Sequence, residues 1–581
     1  MIFAIDFETY YDKRVSISVQ GVYHYLHDAA CDIYLVAVYS DEAQFAYVGE
    51  PQGMDWARLH GQELVAHNAR FDEACFERLK ELGVIAPSIT PSCWHCTADM
   101  SVFFGAGRSL AEAARTLLGV NTVDKTPRED MLGKTWLEAR MLGWAERLAE
   151  YCLHDAWLCY HIWTRWADRW PEWERRLSRL TRSMCRAGIA VDRARLQSGL
   201  QKLGAEMSDA LLELPWVPEQ PPLSPKALRQ ECVKAGIPAP STLAEGSPAC
   251  ERWELLYGSS YRWVAAMRNF RKANILSTKL QTLESRLIGD VFPYALKYYG
   301  AHTGRWSGDA GFNVQNMPRE AQFGVDLRGM FVPRPGHTFI ISDLGQIEQR
   351  VLSWLAGDNR MMEVLETGVS VYEAHARATM GWTGGALKHE NPQLYRLAKA
   401  RVLGLGYGAG AAVFVQIAKT MAGLDIEMSQ AQRVVAEYRR TNPLITDLWR
   451  RLDRAFALAQ GRDFNLPLPS GRRLIYRNVQ RAGSGYSAEV QGRRVSFFGG
   501  KLTENLTSAT ARDVLGHILL RLADAGLRVV LHVHDEVVVE VPTAELDTAV
   551  HKVESIMTTT PDWLTGLPLS AETFTSTQYT K

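Results

Sequence analysis

The stretch Leu527-Arg528-Val529-Val530-Leu531-His532-Val533-His534-Asp535-Glu536-Val537-Val538-Val539-Glu540-Val541 consists of two β-rich runs, 527–533 and 537–541, flanking His534-Asp535-Glu536. β-Branched residues fill both arms, and the polar triplet between them is short enough to be a turn. The stretch reads as a hairpin with two acids at its turn. Upstream, residues 337–341 form another apolar run that leads as a strand into Asp343. Outward from these two acid-tipped segments, residues ~296–357 and ~466–581 read as sheet with packing helices. The intervening ~358–465 is mostly helical by apolar spacing.

At about 150 residues per domain, the 581-residue chain has room for roughly four units. Its 46% hydrophobic and 22% charged residues are ordinary globular composition. Lysine plus arginine equals aspartate plus glutamate at 65 each. That balance neither announces nor excludes nucleic acid, because a local basic groove and clustered acids can cancel. Residues 1–5 are too short for a signal-peptide core and have no basic segment before them. No apolar run approaches the ~20 residues that span a bilayer. The expectation is a soluble, cytoplasmic monomer with no membrane partner. The nine cysteines are odd in number and scattered, so they read as reduced thiols. Cys93 and Cys96, with His95 between them, have zinc-like spacing but no second pair, and read as a buried turn.

The first ~165 residues read as α/β, with strands at 1–5, 33–39 and 63–67. A helix is predicted over 71–82 from Phe71, Cys75, Leu79 and Leu82. Pro171 marks a boundary. Arg175, Arg176, Arg179, Arg182 and Arg186 repeat at three- and four-residue steps, so most share one helical face. Such a face is either solvated or turned to phosphate. Residues 215–225 are a proline-rich loop.

Asp6-Phe7-Glu8-Thr9 ends the first strand, and residues two apart on a strand share a face. Asp6 and Glu8 therefore point the same way, an arrangement that costs energy unless cations neutralise it. His67-Asn68-Ala69-Arg70-Phe71-Asp72 follows a strand and opens a helix. In Tyr151-Cys152-Leu153-His154-Asp155, Tyr151 and Asp155 lie four apart, on one helical face. These three segments, in this order, resemble the DEDD exonuclease superfamily in its tyrosine-bearing branch, over residues 1 to ~165. The resemblance implies a ribonuclease-H-like sheet with Asp6, Glu8, Asp72 and Asp155 around two divalent ions. Hard oxygen ligands suit Mg²⁺, with Mn²⁺ as a substitute. Tyr151 would orient the attacking water.

A second series runs from Thr303-Gly304-Arg305-Trp306-Ser307 through Asn313-Val314-Gln315-Asn316-Met317-Pro318, Arg328 and Phe331. It continues through Ser342-Asp343-Leu344-Gly345-Gln346-Ile347-Glu348-Gln349-Arg350 and a helical stretch with Arg396, Lys399, Leu403 and Tyr407-Gly408. It closes with Leu468-Pro469-Ser470-Gly471-Arg472, Glu504-Asn505 and His532-Val533-His534-Asp535-Glu536. Across ~175–581 this series resembles family A DNA polymerases of the compact phage type. The resemblance implies α/β and α+β architecture: an exonuclease domain (1–170) and then a right hand. The hand divides into thumb and connecting helices (171–300), first palm part (301–357), fingers (358–465) and second palm part (466–581).

It also implies roles. Asp343 and Asp535 would bind two Mg²⁺ ions, with Glu536 a supporting acid and His534 positioning the primer end. Lys399 would neutralise triphosphate charge. Gln346, Glu348, Arg396, Leu403 and Tyr407 would line the nucleotide, with Glu348 crowding the sugar 2′ position and Tyr407 stacking near the templating base. Tyr395, Lys399, Leu403 and Tyr407 sit at four-residue steps and form one stripe, which on spacing alone is more often helix packing and within this motif series reads as the nucleotide-binding face. Arg305, Gln315 and Asn505 would touch the primer–template minor groove, where correct pairs present similar acceptors. The implied function is DNA-templated addition of dNTPs with 3′→5′ proofreading, in replication of a phage genome. The rival is an exonuclease whose polymerase half only binds DNA; a non-enzymatic scaffold is disfavoured by six metal-type carboxylates.

Several positions depart from the family pattern. Leu344 and Gly345 replace a tyrosine and a serine, and Tyr395 an arginine. Leu403 stands where an aromatic is expected, Ser370-Val371-Tyr372 where a histidine follows an Asp-Ile pair, and Ser508 where glutamine is expected. None removes a metal ligand, and several surround the incoming nucleotide, so altered nucleotide selectivity is expected.

Overall fold

Strict alternation makes residues 2–9 a strand with two unlike faces. In β1 (Ile2–Thr9) Phe3, Ile5 and Phe7 enter one apolar core, and Asp6 and Glu8 turn to the opposite face. The computed structural model describes residues 1–120, 126–244, 247–483 and 485–580. β1 lies at the centre of a five-stranded sheet with β2 (Ile33–Ser40), β3 (Phe45–Gly49), β4 (Glu63–Ala66) and β5 (Cys93–Cys96), ordered β3-β2-β1-β4-β5. β1 pairs antiparallel with β2 and parallel with β4. α1 (Ala69–Glu81) starts directly after β4. α2 (Ala145–Trp166) covers the acid-bearing face, packing Leu148, Cys152 and Ala156 on Leu35 and Ala37.

Two expectations change here. Cys93 to Cys96 is an edge strand, not a turn, so alternate residues face opposite ways. His95 Nε2 meets Glu63 at 2.8 Å and its ring stacks on Trp163, while Arg179 donates to Cys93 Sγ. All nine cysteines are free thiols. The arginine repeat on α3 (Glu172–Ala187) is neither a free solvated stripe nor an open phosphate site. Arg175 donates to the Trp170 carbonyl, Arg176 pairs with Asp524, and Arg179 with Glu172. Arg182 is buried against Glu73 at 3.0 Å, and Arg186 reaches the same carboxylate.

The same compact unit (1–187, 295–311, 340–575) contains a second sheet system. β6 (His337–Leu344) leads into α4 (Ile347–Ala356). A helical region follows, including α5 (Pro392–Leu405), α6 (Ala411–Ala422) and α7 (Pro443–Leu458). β7 (Phe464–Pro467), β8 (Arg473–Ala482), β9 (Gly485–Val490) and β10 (Arg493–Phe497) form a meander. α8 (Gly499–Asp524) is a core helix buried over most of its length. β11 (Arg528–Val533), β12 (Glu536–Pro542) and β13 (Ala571–Ser576) join β6 in the order β11-β12-β6-β13. Val533 pairs with Glu536, so the hairpin turn is only His534-Asp535, and Glu536 is a buried strand residue rather than a turn acid.

A buried charge cluster ties this unit together. Arg512 Nη1 and Nη2 grip Glu174 at 2.5 and 2.9 Å, and Arg472 Nε donates to Asp513 at 2.9 Å. All four side chains have no solvent exposure. Tyr298 donates to Glu174, and Arg472 Nη1 to the Tyr299 hydroxyl. Spare donors hold the Thr303-Gly304 segment: Arg472 Nη2 meets the Thr303 carbonyl at 2.8 Å and Arg512 Nε the Gly304 carbonyl at 2.9 Å. Two acids balance two guanidiniums, which is what burial of charge requires.

The second compact unit comprises 188–294, 312–339 and 576–581. Its helices Arg193–Leu212 and Arg262–Ser285 pack together beside a core of Trp216, Trp253 and Trp263. Its short strands run in the order Phe331–Val332, Ile189–Val191, Val291–Phe292. Gly188 has φ 61°, and a Cβ there would lie 2.5 Å from the Phe292 carbonyl oxygen, so glycine is required. Arg328 is buried and donates to the Met317 and Pro318 carbonyls.

Asp513→Ala should leave two buried guanidiniums short of one counter-charge, at a cost of about 3–5 kcal/mol. Urea unfolding should register that loss, with Asp513→Asn retaining part of the stability. An Asp513→Ala protein as stable as wild type would show that the cluster does not hold the unit together.

Candidate active sites

The first site forms where β1, α1 and α2 converge. Asp6, Glu8, Asp72, Tyr151 and Asp155 all line one cavity of about 470 Å³. Asp72 reaches it because Asn68, in a left-handed conformation (φ 81°), turns the chain from β4 into α1. Tyr151 and Asp155 come from successive turns of α2. Burial, then repulsion from Glu8, Asp155 and Asp72, holds the Asp6 carboxyl well above the usual carboxylate range. Burial raises Glu8 to about 7, and the nearby Arg128 opposes that rise. Asp72 is likewise raised by burial. Cys152 Sγ sits 3.5 Å from Asp6 Oδ2.

Among the described residues no three His, Cys, Asp or Glu side chains are already drawn into metal-ligating geometry. The donor set nonetheless fits a hard divalent cation: four carboxylates share one cavity, and Asp72 Oδ1 is buried with no hydrogen-bond partner. Arg128 also lines this cavity and escaped the sequence reading. A lone arginine in a polar segment gives no periodic signal.

The second site lies where β6 and the β11–β12 hairpin meet. The Leu344 N–H donates to the Asp535 carbonyl at 3.1 Å, so Asp343 and Asp535 stand on neighbouring chain segments despite their distance in sequence. His534 is exposed in a left-handed conformation (φ 58°). Arg305 Nη2 meets Glu348 Oε1 at 2.5 Å. Glu348 lies close enough to Tyr407 for its charge to help hold the Tyr407 hydroxyl in the protonated form, after burial as the main cause. On α5, Tyr395, Lys399 and Leu403 line up half-buried and Arg396 is exposed; the helix ends at Leu405, so Tyr407, also half-buried, sits on the turn that follows and the expected helical stripe stops one residue short of it. Gln346 adopts a left-handed conformation (φ 47°) before α4, and its Oε1 lies 3.4 Å from the Val371 N–H. Asn505 is buried on α8 and donates to the Tyr476 hydroxyl at 3.0 Å, so it is occupied within the protein. Gln315 belongs to the second compact unit, on the turn Val314–Asn316.

The departures have local physical reasons. Gly345 donates its N–H to the Ser570 carbonyl, and a Cβ at 345 would collide with Ser570 Oγ. Arg350 clamps that junction, donating to the Gly345 carbonyl, the Pro568 carbonyl and Ser570 Oγ. Tyr372 and Tyr395 pack edge to face with centroids 5.6 Å apart, so two separate substitutions form one contact. His532 is fully buried against Trp306, and burial pushes it down to about 3, so it is a neutral core ring.

Residues 224–581 match the family model for DNA polymerase family A. The DNA polymerase of Bacillus phage SP02 is 27% identical over 100% of this chain and 99% of its own length. The DNA polymerase I of Aquifex aeolicus is 31% identical over 42% of this chain; the match covers 41% of the bacterial enzyme, so the chain corresponds to less than half of it. The fold is similar to that of the POL domain of Pol1 from M. smegmatis, solved with DNA primer-template and dNTP. The TM-score is 0.71 at 18% identity, covering 99% of this chain and 95% of that one.

Because Asp6, Glu8 and Asp72 hold protons in the folded state that the unfolded chain releases, their contribution to stability is full at low pH. It is lost as pH rises from the ordinary carboxylate range through about 7 for Glu8. Thermal unfolding in chelator should therefore drop between about pH 5 and about pH 8 relative to an Asp6→Asn/Glu8→Gln variant, and Mn²⁺ should restore it. Identical pH profiles for the two proteins would refute this. Gly345→Ser should lower stability by about 1–3 kcal/mol through overpacking, with Ser570→Gly relieving it; a neutral Gly345→Ser would show the junction is slack.

Proposed function

This chain belongs to DNA polymerase family A, and from that premise we propose that it is a DNA-templated DNA polymerase with its own 3′→5′ proofreading exonuclease, serving replication of a phage genome. The supporting observation is the 3.1 Å bond from the Leu344 N–H to the Asp535 carbonyl, which makes neighbours of the two segments that carry Asp343 and Asp535. The editing half rests on the four carboxylates that share one cavity with Tyr151. In this reading residues 1–170 are the exonuclease, 171–300 the thumb and connecting helices, 301–357 and 466–581 the palm, and 358–465 the fingers.

Asp343 and Asp535 would hold two Mg²⁺ ions in one site, and Asp6, Glu8, Asp72 and Asp155 two in the other. Bound there, such ions lower the pKa of an attacking hydroxyl or water and neutralise phosphate charge. Lys399 offers a fixed cation to the triphosphate, with Arg396 one residue away. Glu348, held by Arg305, crowds the sugar 2′ position, and Tyr407 stacks beside the templating base. Gln346 and Leu403 complete the nucleotide wall. Arg305, Gln315 and Asn505 match the family's minor-groove positions, Asn505 reaching the groove only if its amide is shared with or released from the Tyr476 hydroxyl, and His534 steadies the primer end. Glu536 supports the charge of the metal-bearing pair from the adjoining strand. Tyr151, beside Asp155, orients the water that attacks the terminal phosphodiester.

The Tyr372–Tyr395 pair replaces a histidine and an arginine around the triphosphate, which supports altered nucleotide selectivity. Competition between standard and base-modified dNTPs tests this, and discrimination equal to an ordinary family A enzyme would count against it. Asp535→Ala should abolish primer extension and spare degradation of single-stranded DNA, and Asp6→Ala with Glu8→Ala should do the reverse. Loss of both activities from either change, in a folded protein, would sink the two-site reading.

A further inference from the structure

Among the described residues, Arg128 is the one arginine or lysine whose side chain lines the acidic cavity. Its segment is pinned rather than loose. Tyr11 donates its hydroxyl to the Arg128 carbonyl at 2.8 Å, and the Gly133 N–H donates to the Tyr11 carbonyl at 2.8 Å. Between them Met131 is buried among Tyr34, Leu35 and Ala37, next to α2. The backbone that carries Arg128 is thus fixed against the strand that carries Glu8. Its guanidinium lies near enough to Glu8 and Asp6 for the three charges to affect one another.

Arg182 and Arg512, which balance buried carboxylates elsewhere in this unit, are themselves buried. Arg128 is different: its side chain is exposed at the cavity. Four carboxylates repel a polyanionic strand, so a DNA 3′ end approaching them gains from any accessible cation. A guanidinium is always charged and presents paired N–H donors that match phosphate oxygens.

We propose that Arg128 is a substrate-positioning residue of the exonuclease, its guanidinium donating to a non-bridging oxygen of the phosphodiester at the 3′ end of a DNA strand. Before DNA arrives, the same group partly neutralises Glu8 and Asp6. The inference rests on the exonuclease reading given above.

Arg128→Ala and Arg128→Lys test it, because an exposed side chain can be replaced without opening the core. Four quantities should be read: degradation of a single-stranded oligodeoxynucleotide, primer extension, Mn²⁺ affinity by paramagnetic resonance, and insertion of a 3′-terminal 2-aminopurine into the site in Ca²⁺. Arg128→Ala should lower kcat/KM for degradation by roughly 10- to 100-fold, the worth of a charge-assisted hydrogen bond. It should weaken insertion in Ca²⁺, tighten Mn²⁺ binding by removing a rival cation, and leave extension unchanged. Arg128→Lys, which keeps charge but loses the planar fork, should fall between. Wild-type insertion and degradation in Arg128→Ala would overturn the inference while leaving the exonuclease intact. A loss of degradation that tracks weakened Mn²⁺ binding would also overturn it, by making Arg128 a structural support. If the wild-type protein degrades no single-stranded DNA, the exonuclease reading itself fails.

Discussion

The ionic cluster of Glu174, Arg472, Arg512 and Asp513 is the constraint on which most of the first unit depends. It joins four distant stretches of chain: α3, the Tyr298–Gly304 region, the Ser470–Arg472 turn and the long core helix α8. Charge buried this completely is tolerated only when every donor and acceptor is matched. The geometry is therefore restrictive: shifting any one segment would strand a guanidinium or a carboxylate. The Thr303 and Gly304 carbonyls take the spare donors, which fixes the backbone immediately before Arg305. Arg305 in turn reaches Glu348 at the start of α4, so the restraint passes from the core to the edge of the candidate polymerase site.

The exonuclease-like cavity uses the opposite electrostatic principle. There the acids outnumber nearby cations, and burial raises three of them above the ordinary range. A fold does not keep such repulsion for stability's sake, since apolar residues in those places would cost less. The balanced cluster and the unbalanced cavity both involve α-helices packed on sheets. What separates them is pairing: each charge of the first has an opposite within about 3 Å, whereas the second leaves Asp72 Oδ1 without a partner.

Legibility in the sequence followed the range of the interaction. Alternation in β1 and the four-residue step in α2 were readable because each acts within one element, and Asp6 with Glu8, and Tyr151 with Asp155, do share the cavity. The neighbouring of Asp343 and Asp535 was not readable from spacing, because a hydrogen bond between strands far apart in sequence creates it. Only likeness to a known motif order suggested it. The arginine repeat on α3 misled in its environment, not its geometry: helical spacing placed the residues on one face, but periodicity cannot tell water from Glu73 or Asp524. In sequence Glu536 reads as a turn acid because three polar residues separate the two β-rich runs, whereas pairing of Val533 with Glu536 leaves a turn of two. Arg128 and Ser570 left no trace at all, since each matters through contacts with residues far away in sequence.

The unusual residues around the candidate nucleotide site are better understood in sets than singly. Gly345 alone looks like the loss of a serine, yet Ser570 Oγ occupies the space a side chain there would need, and Arg350 bonds to both partners. Tyr372 and Tyr395 alone look like the loss of a histidine and an arginine, yet they meet edge to face and support one another. Exchanging two cationic or protonatable groups for an aromatic pair removes positive charge from α5 at Tyr395 and from the neighbouring helix Val371–Thr379 at Tyr372, and adds a rigid apolar surface. Lys399 within the stripe and Arg396 beside it remain on α5, whose third charged residue, Arg401, is buried against Glu437. A triphosphate approaching α5 would then meet charge concentrated on fewer residues, and the burden of binding would shift toward the contact surface offered to sugar and base. Substitutions that pack against each other in this way leave no hole where the side chains touch, which is why they are read as pairs.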